Sequence, residues 1–171
     1  MSFIYKFPDG NIGIFSKDVI DASSYGLALE RIVINNPDVI IPDYLDDIPV
    51  VNVFSAFSGE DVRSVKLPDT LKRIGYSAFE GCKDLTEIIL PPNLISIGSS
   101  AFRNCSNLKK ISFNSELTSI NSKAFQNCTA LEVVDLSNTK VSKLEAHSFS
   151  GCANLTSLLL PDMLTYIPEF C

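Results

Sequence analysis

The chain has 171 residues, 46% of them hydrophobic, which is enough apolar content to bury a core and excludes a chain that is disordered throughout. Its 14 basic and 20 acidic residues leave a net charge of −6, which argues against a nucleic-acid surface or an anionic membrane surface, since both need basic side chains. No apolar run approaches the roughly 20 residues of a membrane helix.

Residues 1–38 form the first segment and carry no repeat. Residues 3–7 and 12–15 are apolar-rich and flank Asp9-Gly10, a pair that favours the tight turn of a β-hairpin. Residues 21–32 are ambiguous, and we interpret them as one short helix. We expect the segment to cap the open end of a repeat array. It shows no secretory signal, so the sequence alone predicts a cytoplasmic location.

Residues 39–171 form a repeat array of about five copies and an incomplete last one. The first coil is irregular, with about four extra residues around Asp46 to Pro49. One regular copy contains Leu85, Ile88, Leu90, Pro91, Leu94, Ile97, Gly98, Ala101, Phe102 and Cys105. The equivalent phenylalanines Phe57, Phe79, Phe102, Phe125 and Phe149 follow one another at 22, 23, 23 and 24 residues.

The repeat predicts a stacked coil. Ile88 and Leu90 are two residues apart, so both point to one side of a strand, and Pro91 ends that strand because it has no N–H to donate. Each strand should pair in parallel with its equivalent in the next copy. The Ala-Phe-x-x-Cys stretch predicts a short helical turn that inserts the ring of Phe102 into the core. One copy cannot bury its apolar face alone, so stability should come from neighbour contacts.

The run from Pro91 through Leu94, Ile97-Gly98 and Ala101-Phe102 to Cys105 resembles the BspA-like leucine-rich repeats, and the resemblance covers residues 39–171. It implies an α/β leucine-rich-repeat solenoid with a parallel β-sheet on one face, short helical or irregular turns on the other, and an N-terminal β-hairpin cap. Members of that family are typically surface or secreted proteins of bacteria and parasitic protists, associated with adhesion to host matrix proteins and cells. The resemblance therefore implies a cell-surface or secreted location. The departures from the pattern are Glu60 for the first cysteine, Asn114 and Ser137 for proline, and Ser148 for alanine.

Four cysteines occupy one repeat position, and stacking should align them in a column with steps of about 4.8 Å. Parallel side chains do not converge on one metal ion, and parallel Cβ vectors disfavour a disulfide although the backbone spacing permits one. We interpret the column as reduced, buried and structural. Cys171 lies outside it and could be an exposed thiol. The column contains Cys82, Cys105, Cys128 and Cys152.

The sequence predicts no enzyme and assigns no catalytic, cofactor or metal site. The only histidine, His147, stands where other copies have Ser77, Ser100 and Lys123, which is a variable, solvent-type position. No phosphate loop, paired-carboxylate motif or metal-ligand spacing accompanies it. Three Asn-x-Ser/Thr triplets, at Asn104, Asn127 and Asn154, are either glycosylation acceptors or turn-forming asparagines.

Strand alternation predicts a candidate partner-binding surface, because the outward positions vary in chemistry while the inward ones stay apolar. We expect a non-enzymatic module that binds a protein ligand, such as a host or matrix protein, and we expect neither nucleic acid nor membrane insertion. The same positions could also be ordinary solvated strand residues. The ten outward residues are Ser64, Lys66, Glu87, Ile89, Lys110, Ser112, Val133, Asp135, Ser157 and Leu159.

The C-terminal end offers an alternative function. Counting from Pro161, the next core phenylalanine would fall just after Cys171, and no polar cap is visible before it. We expect a longer natural chain or an end that packs against another copy, and the alternative is a frayed end that the fold tolerates. If the end packs against another copy, the protein would be a self-assembly module.

Overall fold

The computed structural model describes residues 2–21, 24–169 and 171, and it places fourteen strands and no helix in them. No part of this described chain could therefore cross a membrane as a helix. The strands in chain order are β1 Ser2–Lys6, β2 Ile12–Asp21, β3 Ser24–Val33, β4 Asp38–Ile40, β5 Tyr44–Leu45, β6 Ile48–Val53, β7 Ser64–Lys66, β8 Arg73–Ile74, β9 Glu87–Ile89, β10 Ser96–Ile97, β11 Lys110–Ser112, β12 Ser119–Ile120, β13 Val133–Asp135 and β14 Ser157–Leu159.

The repeats form the predicted solenoid, but it is a β-solenoid rather than an α/β one, because the described residues contain no helix. The first strand of each coil pairs in parallel with its equivalent, in the pairs β4–β7, β9–β11 and β13–β14. In β7, β9, β11 and β13 the central residue is buried and its two neighbours are exposed, which is the alternation expected of a half-buried strand. We call the outer surface of β4, β7, β9, β11, β13 and β14 the strand face.

A second parallel sheet forms where the Leu-x-x-Ile stretches pass. Strands β6, β8, β10 and β12 pair in register, so that Ile74, Ile97 and Ile120 stack over one another. Each residue row of one coil thus lies on the same row of the next. A continuous ladder of main-chain hydrogen bonds in this second sheet therefore joins neighbouring coils, whereas the strands of the strand face pair only two by two.

The N-terminal segment forms the predicted β-hairpin. Strands β1 and β2 are antiparallel, and the turn between them is closed by the Phe7 N–H, which donates to the Asn11 carbonyl at 2.8 Å. The short helix expected over residues 21–32 is wrong, because Ser24–Val33 is strand β3. Strand β3 pairs antiparallel with β2 and parallel with β6, so the cap and the solenoid share one sheet. Hydrogen bonding on both edges of β3 overrides its ambiguous local preference.

The extra residues of the first coil form a second, tighter hairpin. Strand β5 pairs antiparallel with β6, with Tyr44 opposite Pro49 and Leu45 opposite Ile48. The two turn residues, Asp46 and Asp47, have φ values of 49° and 61°. Aspartate tolerates this left-handed region better than most residues, so a two-residue turn fits here.

The Ala-Phe-x-x-Cys turns are not helical, which corrects the helical alternative. Two residues in each turn have positive φ, for example Ser100 at 58° and Asn104 at 60°, and these interrupt a right-handed helix. The turn also uses its N–H groups between coils. The N–H groups of Ser100, Phe102 and Asn104 donate to carbonyls of the following coil at 2.7 to 3.0 Å. Asn104 and Asn127 are therefore turn-forming residues, and their side chains hydrogen-bond each other at 3.0 Å.

The phenylalanines of these turns form one continuous stack through the core. All five are buried, and neighbouring ring centroids lie 4.8, 5.2, 5.2 and 5.3 Å apart with interplanar angles of 10° or less. That separation is close to the distance between paired strands, so the ring spacing follows from the strand spacing. The stacked rings are Phe57, Phe79, Phe102, Phe125 and Phe149.

The cysteine column forms a second buried ladder. The thiol of Cys105 donates to the Phe79 carbonyl at 3.0 Å, and the thiol of Cys128 donates to the Phe102 carbonyl at 3.1 Å. Cys82 and Cys152 make the same contact with the phenylalanine of their preceding coil. Burial raises the pKa of all four thiols, that of Cys105 to about 12 and that of Cys152 to about 11.

We expect Phe102→Ala to lower the free energy of unfolding by about 3–5 kcal/mol, because it removes a buried ring that stacks on both neighbours. Urea unfolding measures the change. Ile95→Ala, at an exposed position, is the control and should change stability by less than about 0.5 kcal/mol. Equal effects of the two substitutions would contradict a continuous aromatic core.

The raised thiol pKa values predict an alkaline loss of stability. In the unfolded chain a cysteine ionises near pH 8.5, whereas the folded Cys105 keeps its proton to about pH 12. Above about pH 8.5 the unfolded state therefore binds fewer protons, and stability falls by up to about 1.4 kcal/mol per pH unit for each thiol.

Urea unfolding at about pH 8 and about pH 10 tests this prediction against Cys105→Ala. The variant should lose less stability between the two pH values than the original chain, by about 2 kcal/mol. Identical losses would show that the Cys105 thiol is not buried.

Candidate partner-binding surface

The structure gathers the ten predicted residues on the strand face, two from each of β7, β9, β11, β13 and β14. Nine of them are exposed, and Ser157 is half-buried. The parallel registers place Ser64, Glu87, Lys110, Val133 and Ser157 in one row and Lys66, Ile89, Ser112, Asp135 and Leu159 in the other.

The strand face combines exposed apolar side chains with both signs of charge. Ile89 is 77% exposed and lies two residues from Glu87 on β9 and in the same row as Lys66 of β7, while Val133 is exposed two residues from Asp135 on β13. Apolar residues inside a rim of mixed charge are typical of protein-recognition surfaces. A phosphate-binding surface would carry one sign of charge, which this face does not.

Sequence reasoning missed the first strand of this face. Strand β4 pairs in register with β7, so Asp38 extends the row of Ser64 and Ile40 extends the row of Lys66. Ile40 is exposed and Val39 beside it is buried, which is the same alternation as in the later coils. The alternation around Val39 was the signal that could have found them, but no regular coil precedes it for comparison.

Charge and hydrogen bonding are strongest at the β4 end of the face. The Arg63 guanidinium forms an ion pair with the Asp38 carboxylate, and the Ser64 hydroxyl donates to the same carboxylate at 2.7 Å. These two hydrogen bonds hold the pKa of Asp38 below its ordinary value. Further along the face, hydrogen bonds from the hydroxyl and the N–H of Ser137 lower the pKa of Asp135.

Several clefts open along the strand face. A cleft of about 440 Å³ lies between β7 and β9, where neighbouring strands contact each other without forming a ladder, and Lys66 and Glu87 line it. A smaller, mainly apolar cleft of about 240 Å³ lies where the hairpin cap meets β4, lined by Tyr5, Phe7 and Ile40. Both are concave enough to receive a projecting side chain.

The residues considered for chemistry lie elsewhere. His147 occupies a repeated left-handed turn position, with φ of 59°, which it shares with Ser77, Ser100 and Lys123. Cys171 is half-buried rather than exposed, and its sulfur lies 3.1 Å from the Ser148 hydroxyl. Within the described ranges no three His, Cys, Asp or Glu residues come together as metal ligands.

A family model shows where this architecture belongs. Six copies of the BspA-type leucine-rich-repeat region match residues 54–171. The chain belongs to the BspA-type leucine-rich-repeat family. Because the leucine-rich repeat is a general protein-interaction scaffold, membership supports a repeat module and leaves its ligand open.

Solved structures of bacterial proteins share the fold. A leucine-rich cell surface protein of Faecalibacterium prausnitzii is 27% identical over 96% of this chain and 44% of its own, with a TM-score of 0.81. A leucine-rich-repeat protein of Bacteroides ovatus is 25% identical over 90% of this chain and 35% of its own, with a TM-score of 0.59. That of T. pallidum shares the fold at 23% identity, with a TM-score of 0.64 over 91% of this chain and 62% of its own.

The chain thus spans between a third and two thirds of the length of these three relatives. No curated protein matches it at a significant level.

We expect Arg63→Ala to raise the pKa of Asp38 towards its ordinary value, because it removes the strongest hydrogen bond to that carboxylate. NMR titration of the aspartate side chains measures the shift. The pKa of Asp135 is the internal control and should stay unchanged, since its partner is Ser137. An unchanged pKa of Asp38 in the Arg63→Ala variant would refute the ion pair.

Proposed function

We propose that this BspA-type leucine-rich-repeat module binds a protein ligand through its strand face and has no enzymatic activity. The observation that carries the proposal is the pair of outward rows on β7, β9, β11, β13 and β14, in which apolar, polar and charged side chains are mixed over a regular buried core. A rigid scaffold that varies only on its outer surface is suited to recognition, because binding costs little conformational entropy.

The first coils carry two clefts that lie beside exposed apolar side chains of this surface. The cleft between β7 and β9 lies beside Ile89, and the apolar cleft at the cap lies beside Ile40. Binding energy in protein interfaces concentrates where an anchor side chain fills such a cleft. We therefore propose that the ligand makes its main contacts on β4, β7 and β9.

We propose a cell-surface location, with a host or matrix protein as the ligand. The support is family membership and similarity to a cell surface protein of Faecalibacterium prausnitzii. Protease treatment of intact source cells tests the location. Loss of the protein from intact cells is the expected result, and full protection would overturn it.

Surface plasmon resonance against a panel of immobilised extracellular-matrix proteins tests the binding surface. We expect the double variant Lys66→Glu with Glu87→Lys to weaken binding at least about tenfold, which corresponds to about 1.4 kcal/mol. The variant keeps the net charge, so a general change of charge cannot explain the loss.

The matched control is Lys83→Glu with Asp84→Lys, which reverses an exposed pair on the loop before β9. It should bind as tightly as the original chain. An equal loss of affinity in both double variants, or no loss of affinity in the first, would show that the ligand does not bind to this part of the strand face.

A second candidate function is self-assembly through the last coil. Among the described residues of that coil, five apolar side chains are exposed, namely Leu158, Leu159, Met163, Tyr166 and Ile167. Light scattering after size-exclusion chromatography tests this alternative. An oligomer that forms with rising concentration and is lost in Leu159→Glu with Ile167→Glu would favour assembly, and a monomer at all concentrations would exclude it.

A further inference from the structure

A groove on the second sheet differs in chemistry from the strand-face clefts. Its volume is about 270 Å³, and the rings of Phe54 and Tyr76 lie on its border. Tyr76 is 62% exposed and Phe54 is 39% exposed, so both rings offer surface to a ligand. None of the residues that line this groove is acidic.

Two glycines line the groove and let their neighbours approach the backbone closely. A Cβ added to Gly75 would lie 2.1 Å from the ring of Phe54, so only glycine lets that ring rest on the backbone. A Cβ added to Gly98 would lie 2.6 Å from the carbonyl carbon of Gly75, so only glycine lets these two coils pack this closely here. Equivalent positions in later coils are Asn121 and Glu145, so this close packing is specific to the coils of Gly75 and Gly98.

Small polar side chains surround the rings. Ser96 and Ser99 line the groove from one coil and Asn121 from the next, and each is half-buried. Serine and asparagine both donate and accept hydrogen bonds. Arg73, also half-buried, adds a donor from β8.

We propose that this groove binds a pyranose unit of a glycan. A sugar ring presents C–H groups on its face and hydroxyls around its rim. The exposed rings of Phe54 and Tyr76 would pack against the C–H face, and the serine and asparagine side chains would exchange hydrogen bonds with the hydroxyls. The volume lies near the lower end of small-molecule clefts, about 300 Å³, which favours one sugar unit over a folded partner.

Titration of the isotope-labelled protein with D-galactose and with N-acetyl-D-glucosamine, followed by NMR, tests the proposal. At least one of these sugars should shift signals of the groove residues with a dissociation constant in the millimolar range. Tyr76→Ala should weaken that binding by about tenfold. Tyr76→Phe keeps the ring and should bind as the original chain does.

Tyr44→Ala is the matched control, because Tyr44 is 57% exposed and lies on β5 outside the groove. It should leave sugar binding unchanged. A filling variant, Ser96→Phe, should abolish binding even if Tyr76→Ala proves unstable. Melting temperatures establish that each variant is folded.

Three results would overturn the proposal. The first is no shift with either sugar at concentrations well above the millimolar range, and the second is equal loss in Tyr76→Ala and Tyr44→Ala. The third is binding of adenosine with no binding of either sugar, which would make the groove a base-stacking site. Since the strand face contributes no residue to the groove, failure here leaves the proposed protein binding untouched.

Discussion

The structure depends on one constraint, the stacking of identical coils at the spacing of hydrogen-bonded strands. Ring centroids in the phenylalanine stack are 4.8 to 5.3 Å apart because the backbone that carries each ring is bonded to the next at that distance. The N–H of Phe79 donates to the Ala101 carbonyl at 2.7 Å, and the thiol of Cys105 donates back to the Phe79 carbonyl at 3.0 Å. Each coil is therefore joined to its neighbour by the buried face of the turn as well as by the sheets.

This constraint separates the residues that build the fold from those that are free to vary. Inward positions must accept an identical neighbour above and below, so they are held to a few apolar types. Outward positions such as Lys66, Ile89 and Ser112 lie in the same row and share no chemistry. The solenoid thus supports a surface that can change from coil to coil at little cost to stability.

The two faces of the molecule use this freedom differently. The strand face varies its long aliphatic and charged side chains, as at Lys66, Glu87 and Ile89. In the second sheet the side chain at one repeat position changes in size instead, and this position is glycine in two consecutive coils, at Gly75 and Gly98. The groove lined by Phe54 and Tyr76 lies at these glycines. We infer a protein ligand for the strand face, where long aliphatic and charged side chains are exposed. We infer a sugar for the second sheet, where aromatic rings lie beside small polar side chains.

Much of the fold could be predicted because a pattern that is ambiguous in one copy becomes clear when several copies of the repeat are compared. The periodic recurrence of Phe102 and Cys105 identified the parallel coil, the buried aromatic stack and the two outward rows. Where no copy existed for comparison, prediction failed. Residues 21–32 are ambiguous locally and were interpreted as a short helix, and Asp38 and Ile40 were not assigned to the surface at all.

The sequence by itself determined the period, the inward and outward positions of each strand, and the family, since all three follow from side-chain type at regular spacing. Only the tertiary structure decided how the turns are built and where the cap joins. Left-handed residues such as Ser100 and Lys123 depend on hydrogen bonds to the next coil, and β3 depends on pairing with β6. The groove at Gly75 was also decided by the tertiary structure, because side chains from four coils border it and nothing in one coil specifies their proximity.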